Sequence, residues 1–498
     1  MLRRGLNVVL VSAAASALAA CNLAPHYRPP LVTVPKTYQQ QGVWEAAQPA
    51  DNLSRGDWWA RFSDPTLDGL EKRIETANPD LAAAVARYDQ ARDYAKEAKA
   101  DLYPTIGAGG VGSDNRQSLN RPLRPPNTPQ PSYYGSNSVS VSGNYEFDFW
   151  GKIRNMVASR KATAQASDAD VATMRLSLQA SLATAYFQLR GLDADAQLLT
   201  QTVAAYQKAY DLTDTLFKGK IAASIDVSRA STQLDMARAM VSDIASRRAL
   251  LEHSIAVLVG EPASDFTIAA AVTPFVLPDI PTDIPSTLLQ RRPDIASAER
   301  AAAAANAQIG VARAAFYPSL SFNPVGGLIS TGNPFTLADT FWTLGASIAL
   351  PLFDGGRLRA QEAGTYARFR ETSAFYRSTV LVAFKEVEDN RATLHWLAQE
   401  STDTEAGVTA AEHTVKAALA LYREGATSYL DVVTAQTALL TAQQSALDLR
   451  TRRVVADVGL VRALGGGWDA TALDAAPPIK SDLTPAIFGP GKATTGPD

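Results

Sequence analysis

From Leu234 onward apolar residues recur three and four positions apart: Leu234, Ala237, Val241 and Ile244, then Leu251, Ile255 and Leu258, with Arg248 at the one seam position that is not apolar. The same series returns 205 positions later as Leu439, Ala442, Ala446, Leu449, Arg453, Ala456, Leu460 and Ala463, and even the Arg interruption repeats. A sustained period of about 3.5 residues predicts helices packed as in a coiled coil, and the alanines permit close approach. Ahead of each seam lies a matching segment, ASIDVSRASTQL at 223–234 and SYLDVVTAQTALL at 428–440, in which Asp226 falls on Asp431.

Proline placement extends the pattern. None of the 28 prolines lies between Lys152 and Glu261 or between Leu352 and Ala476, and both blocks are rich in Ala, Leu, Gln, Arg and acidic residues. Such blocks are helical. Gly219 and Gly425 punctuate them, so each reads as a long helix, a tight turn and a second helix, over 151–259 and 356–464. A helix from Gly151 to Leu216 is roughly 100 Å long at about 1.5 Å per residue, longer than a compact globular domain accommodates.

The segments before the two blocks also correspond. Asn78-Pro-Asp-Leu81 leads to Leu102-Tyr-Pro104, and Arg292-Pro-Asp-Ile295 leads at the same interval to Phe316-Tyr-Pro318. The chain is a tandem duplication, with repeats at 63–261 and 285–468 and a linker at 262–284. After each Tyr-Pro the period changes to two. Val139, Val141, Tyr145, Phe147 and Phe149 alternate with Ser138, Ser140, Ser142, Asn144, Glu146 and Asp148; Trp342, Leu344, Ala346, Ile348 and Leu350 alternate with small residues. The alternation predicts strands over about 105–113, 137–149, 319–330 and 340–352, each with one apolar and one small polar face. The proline-rich loop from Asp114 to Asn137 is too polar to be buried.

Composition changes the picture only at the N-terminus. A net charge of -3 and the absence of a basic block argue against nucleic acid as a partner. Arg3 and Arg4 precede an apolar run, Val8 to Ala20, that is too short to span a membrane and ends in small residues, so 1–20 reads as an export signal. The run closes as Leu18-Ala-Ala-Cys21, which resembles the lipobox of bacterial lipoproteins. That resemblance makes Cys21 the lipidated first residue of an extended segment, 21–62, and Asn22 after it favours the outer membrane. Cys21 is the one cysteine, so there is no disulfide. Alternating strands in an exported lipoprotein fit a transmembrane β-barrel, and four strands cannot close one, so several chains must contribute. Residues 469–498 form a tail.

Taken in order, CNLAPHY (21–27), GDWWARFSDPTLDGL (56–70), ANPDLAAA (77–84), ADLYPTI (100–106), FDFWGKIR (147–154), RRPDI (291–295), FYPSL (316–320), PLFDGGR (351–357) and SYLDVVTAQ (428–436) resemble the TolC-type outer-membrane factors, in the lipoprotein branch serving resistance-nodulation-division efflux pumps. The resemblance covers nearly all of the mature chain. It implies a mainly α chain with transmembrane β, assembled as a homotrimer with a 12-stranded β-barrel in the outer membrane, continuous with a 12-helix periplasmic barrel. Its partners would be a periplasmic adaptor, an inner-membrane pump and outer-membrane lipid, with no cofactor.

The resemblance also implies site residues. Asp431 matches an aspartate lining the closed periplasmic entrance, with Leu430 beside it; Asp226 and Tyr422 match residues that tie the helical hairpins together; Gly219 and Gly425 mark the tips that meet the adaptor. Thr434 stands where many members carry a second Asp, and Thr427 where some carry an Arg. Converging Asp431 carboxylates should have raised pKa values through desolvation and mutual repulsion. The alternative for both aspartates is ordinary first-turn carboxylates favoured by the helix dipole.

Catalytic patterns are poor. GAGGVG at 107–112 lies in a predicted strand and opens no helix, and His26, His253, His395 and His413 are dispersed without metal-ligand spacing. The expected function is a passive exit duct of a tripartite efflux pump; the alternative is a trimeric coiled-coil outer-membrane lipoprotein with a structural or adhesive role.

Overall fold

The computed structural model describes residues 22–33, 57–116, 133–273, 275, 292–331 and 336–466. The signal 1–20, Cys21, most of the segment 21–62, the linker beyond residue 275 and the tail 469–498 lie outside the described residues. The chain divides into two compact units, one within 1–30, 88–166 and 298–376, the other within 31–87, 167–297 and 377–498.

Seven helices are described: α1 (Pro65–Ala77), α2 (Pro79–Ala100), α3 (Lys152–Lys218), α4 (Ser224–Leu258), α5 (Pro293–Ala314), α6 (Arg357–Arg423) and α7 (Tyr429–Ala463). The long helices repeat residue for residue: α3 and α6 each have 67 residues, α4 and α7 each have 35. The quoted motifs explain their starts. Asp148 of FDFWGK accepts the Ile153 and Arg154 N–H groups (3.0 and 2.9 Å), and Asp354 of LFDGG accepts those of Gly356 and Leu358 (both 2.9 Å). Each carboxylate satisfies N–H groups that a helix start leaves without an intrahelical acceptor. Asp64 does the same for α1, on Thr66 and Leu67 (2.9 and 3.2 Å), and Pro65 supplies a first residue with no N–H to satisfy.

The first unit contains the strands β1 (Thr105–Arg116), β2 (Tyr133–Phe147), β3 (Ser319–Phe322), β4 (Val325–Ser330), β5 (Thr340–Thr343) and β6 (Ala346–Ala349). All pairings are antiparallel. β1 pairs along its whole length with β2; β2 pairs on its other edge with β3 and β4; these pair in turn with β6 and β5. The sheet is thus four strands wide. The first hairpin is longer than the alternation alone marks, running out to the Arg116–Tyr133 pair, where the guanidinium lies over the Tyr ring (5.3 Å). In the second repeat each expected strand is two pieces. Pro324 has no N–H for the ladder, so β3 and β4 separate there, while its carbonyl still accepts from Gly143 (2.8 Å) and the register is kept across the break.

The register sorts the side chains. Ile106, Val139, Val141, Tyr145, Phe147, Leu320, Phe322, Leu328, Trp342 and Ile348 share one face, and Ser136, Ser138, Ser140, Ser142, Asn144, Ser321 and Ser347 share the other. The apolar face is open: Ile106, Trp342 and Ile348 are each more than 70% exposed. At the base of β2 the aromatic rings of Tyr145, Phe147 and Phe149 form a contiguous row, and Trp150 stacks on Tyr317 (4.7 Å) while its indole N–H donates to the Pro318 carbonyl. In the same unit the chain 22–27 runs along α5. The Leu23 carbonyl accepts from Arg313 (3.2 Å), the Pro25 carbonyl from Asn306 (2.8 Å), and the Tyr27 hydroxyl donates to Glu299 (2.6 Å). Ala24 lies so close to Gly310 that a Cβ there would meet it at 2.7 Å.

In the second unit α3 packs on α4 through Leu192, Leu199 and Ile244, and on α7 through Leu440 and the hydrogen bond from Gln444 to Asp195 (3.1 Å). Tyr206, Leu234 and Ala237 continue the α3–α4 contact.

Candidate functional site: the paired helix turns

Helices α3 and α4 meet in a turn at 219–223, and α6 and α7 in a turn at 424–428. Both close with the same backbone pattern. The N–H groups of Lys220 and Ile221 donate to the carbonyls of Phe217 and Leu216, and those of Gly425 and Ala426 to Tyr422 and Leu421. Such a C-terminal cap needs one residue at positive φ. In the second turn that residue is Gly425 (φ 72°); in the first it is Lys220 (φ 60°), not Gly219. Gly219 corrects the sequence reading, because the left-handed position lies one residue beyond it.

Asp431 sits in the first turn of α7. Its Oδ2 accepts from Ser428 N–H (3.2 Å), Ser428 Oγ (3.0 Å) and Thr427 Oγ1, and the Ser428 side chain completes a capping box. The carboxylate is exposed, and the Thr427 and Ser428 hydroxyls hold its pKa below the usual carboxylate range. This reverses the raised pKa expected from the sequence: donors to the charged form outweigh desolvation within one chain. Leu430 is half exposed beside it, and Thr434 turns back on its own helix, donating to the Leu430 carbonyl (2.9 Å).

Asp226, the counterpart of Asp431, pairs with Arg229 (3.3 Å). Tyr422 does not tie to it within the chain. Its hydroxyl reaches Thr213 Oγ1 at a long 3.5 Å, and its ring packs on Tyr429 (5.2 Å between centroids). These rings, with Ala209, Ala230, Val432 and Ala435, form the apolar plug that joins the two turns. Tyr429 is 1% exposed, and burial pushes its hydroxyl up to about 12, with Tyr422 and Asp226 adding to the effect. Tyr206 donates to the Gln436 carbonyl (3.3 Å) one turn further along. Sequence reasoning passed over Tyr429 and Thr213, though the position of Tyr429 between a capping Ser and a buried Val432 marks an inward-facing aromatic.

The site is therefore two capped helix turns joined by an aromatic plug, presenting Leu430, Asp431 and Thr434 on an open surface, in a chain whose other unit carries a sheet with an exposed apolar face. The sequence matches the outer membrane efflux protein family over residues 71–261 and 284–466. The chain belongs to that family. It is an outer-membrane efflux channel. The probable efflux pump outer membrane protein TtgC of Pseudomonas putida (strain KT2440) is 32% identical over 93% of this chain and 96% of its own length. The cation efflux system protein CusC of Escherichia coli (strain K12) is 29% identical over 91% of this chain and 98% of its own. The solved structure of the outer-membrane channel OprN superposes with a TM-score of 0.81 at 28% identity, covering 90% of this chain and all of that one. As an efflux protein the chain has no use for a reactive cluster, and the chemistry of its turns is that of charge and packing at an opening.

Proposed function

We propose that three copies of this chain close a passive exit duct, in which the four-stranded sheets join into a 12-stranded barrel and the helices form a periplasmic barrel whose turns meet an adaptor protein loaded by a resistance-nodulation-division pump. The observation that carries this reading is the sheet. One face is apolar and exposed, the other is lined by serines, and the outer edges of β1 and of β5 and β6 have no partner among the described residues. In lipid an open edge leaves backbone groups unsatisfied at several kcal/mol each, so the edges must pair with other copies. The serine face then lines water.

The gate assignment rests on the turns. Asp431, Leu430 and Thr434 are exposed beside the capped start of α7, where a ring of three copies would place like charges at the opening; Asp226 and Tyr422 belong to the packing beneath them. Lipidation at Cys21 would hold the chain at the membrane. The seating of Leu23 and Pro25 on α5, a few residues before β3 begins, supports an anchor on that side. The names of TtgC and CusC give them different cargo, which supports a duct that conducts what its pump delivers. Purified protein in planar bilayers should give ion-conducting steps and run as a trimer in native mass spectrometry. A folded monomer without conductance would favour the structural-lipoprotein alternative.

A further inference from the structure

Ile268 is held at both of its backbone groups by two residues one turn apart on α4. Its N–H donates to Glu252 Oε1, and its carbonyl accepts from Arg248 Nη2 (2.6 Å). Residues of α3 extend the grip: Arg248 also donates to Asp193 (2.7 Å), which accepts the Ala271 N–H (3.1 Å), while Arg190 donates to the Ala269 carbonyl (2.8 Å). Arg248, the interruption in the apolar seam, is there to carry the chain 266–271 across the helices. Ile268 is buried in the result.

The interruption repeats, and so does its acidic partner. A shift of 205 places Arg248 and Glu252 on Arg453 and Asp457 of α7, still one turn apart. The chain also leaves the two helices in the same way. Gly260 and Gly465 hold positive φ (74° and 92°); Gly260 and Glu261 donate to the carbonyls of Val257 and Ala256, and Gly465 and Gly466 to those of Arg462 and Val461. The carbonyls of Leu258 and Ala463 are tied by Asn78 (2.8 Å) and Arg292 (3.0 Å). Asp457 is 4% exposed, and burial pushes its carboxyl up to about 7 against the pull of Arg453, with no hydrogen-bond donor upon it among the described residues. The α3 partners are not retained on α6. Arg190 and Asp193 become His395 and Ala398, and Ala398 is exposed where Asp193 is buried.

We propose that Arg453 and Asp457 form a backbone clasp for the chain following Gly466, closed on Leu473: Asp457 accepts the Leu473 N–H and Arg453 donates to its carbonyl. Leu473 lies outside the described residues and is named by the repeat, as the counterpart of Ile268 at the same distance beyond the glycine exit and, like it, apolar. A buried carboxylate with an Arg one turn away gains from a peptide unit that offers both a donor and an acceptor. Asp is one methylene shorter than Glu, so the clasped chain sits closer to α7 than 266–271 does to α4.

Hydrogen–deuterium exchange with mass spectrometry on the intact extracted protein tests the clasp. Amides of a peptide spanning 470–476 should exchange at least about tenfold slower than in a free chain. Asp457→Ala should remove that protection. Leu473→Pro, which deletes the clasped N–H without touching the helices, should remove it from the neighbouring amides, and decides the matter if Asp457→Ala does not fold. Ala476→Pro should leave it in place, because the counterpart N–H of Ala271 meets Asp193 but residue 476 would meet Ala398. Free exchange of 470–476 in the parent protein overturns the proposal. So does protection that survives Leu473→Pro, or that Ala476→Pro removes equally.

Discussion

Lys220 and Gly425 occupy the same place in the two helix turns, and both hold positive φ, at 60° and 72°. A β-carbon makes that conformation costly, by about 1 kcal/mol, and glycine avoids the cost. Lys220→Gly should therefore stabilise the first turn by about 1 kcal/mol, and Gly425→Ala should destabilise the second by a similar amount. Thermal unfolding of the purified protein, with amide exchange over each turn, reads both. An unchanged first turn in Lys220→Gly would mean that the Lys side chain recovers the strain through contacts elsewhere.

Cation preference should persist to low pH. The Thr427 and Ser428 donors lower the Asp431 pKa, so the cap is intact above the ordinary carboxylate range and is lost only as pH falls through the lowered value. Reversal potentials across a salt gradient should stay constant from neutral pH to about pH 4. Asp431→Ala should abolish the preference and loosen the start of α7. A preference already fading near pH 6 would show that repulsion among the three carboxylates outweighs the donors.

Tyr422 acts through its ring. Its hydroxyl contact to Thr213 is 3.5 Å long, so Tyr422→Phe should cost less than about 1 kcal/mol and leave basal conductance unchanged. Tyr422→Ala removes the ring packed on Tyr429 and should cost about 3–5 kcal/mol, with increased basal conductance. Equal conductance changes in both variants would restore the hydroxyl as a tether.

Glu71 is fully buried in α1, and neither carboxyl oxygen has a partner. Burial, reinforced by Glu75, raises its pKa from the usual carboxylate value to about 9. The sign follows: stability is greatest below the ordinary carboxylate range, falls as pH rises, and continues to fall until pH passes about 9. At pH 7 the loss is on the order of 3 kcal/mol. Glu71→Met should raise stability at pH 8 and flatten its dependence between about pH 5 and pH 8, as thermal unfolding at the two values would show. A steeper dependence in the variant would place the titrating group elsewhere.

The sequence by itself determined the duplication, the long helices, their starts and the alternation of the strands, because each is written within a few residues. Asp148 and Asp354 cap the helices they precede, the register keeps Val139 and Val141 on one face, and Pro324 breaks its own ladder. Asp431 was legible as a helix-start carboxylate for the same reason, since Ser428 lies three residues before it. Tertiary structure decided what depends on chain arriving from elsewhere. Tyr422 meets Thr213 and not Asp226 because the axial rotation of α3 against α6 selects the partner, and no local pattern encodes that rotation. Lys220 takes the left-handed position because the Leu216 carbonyl sets where the cap closes, overriding the glycine beside it. Arg248 reads as a flaw in an apolar seam until the peptide group of Ile268, held between it and Glu252, gives its charge a partner.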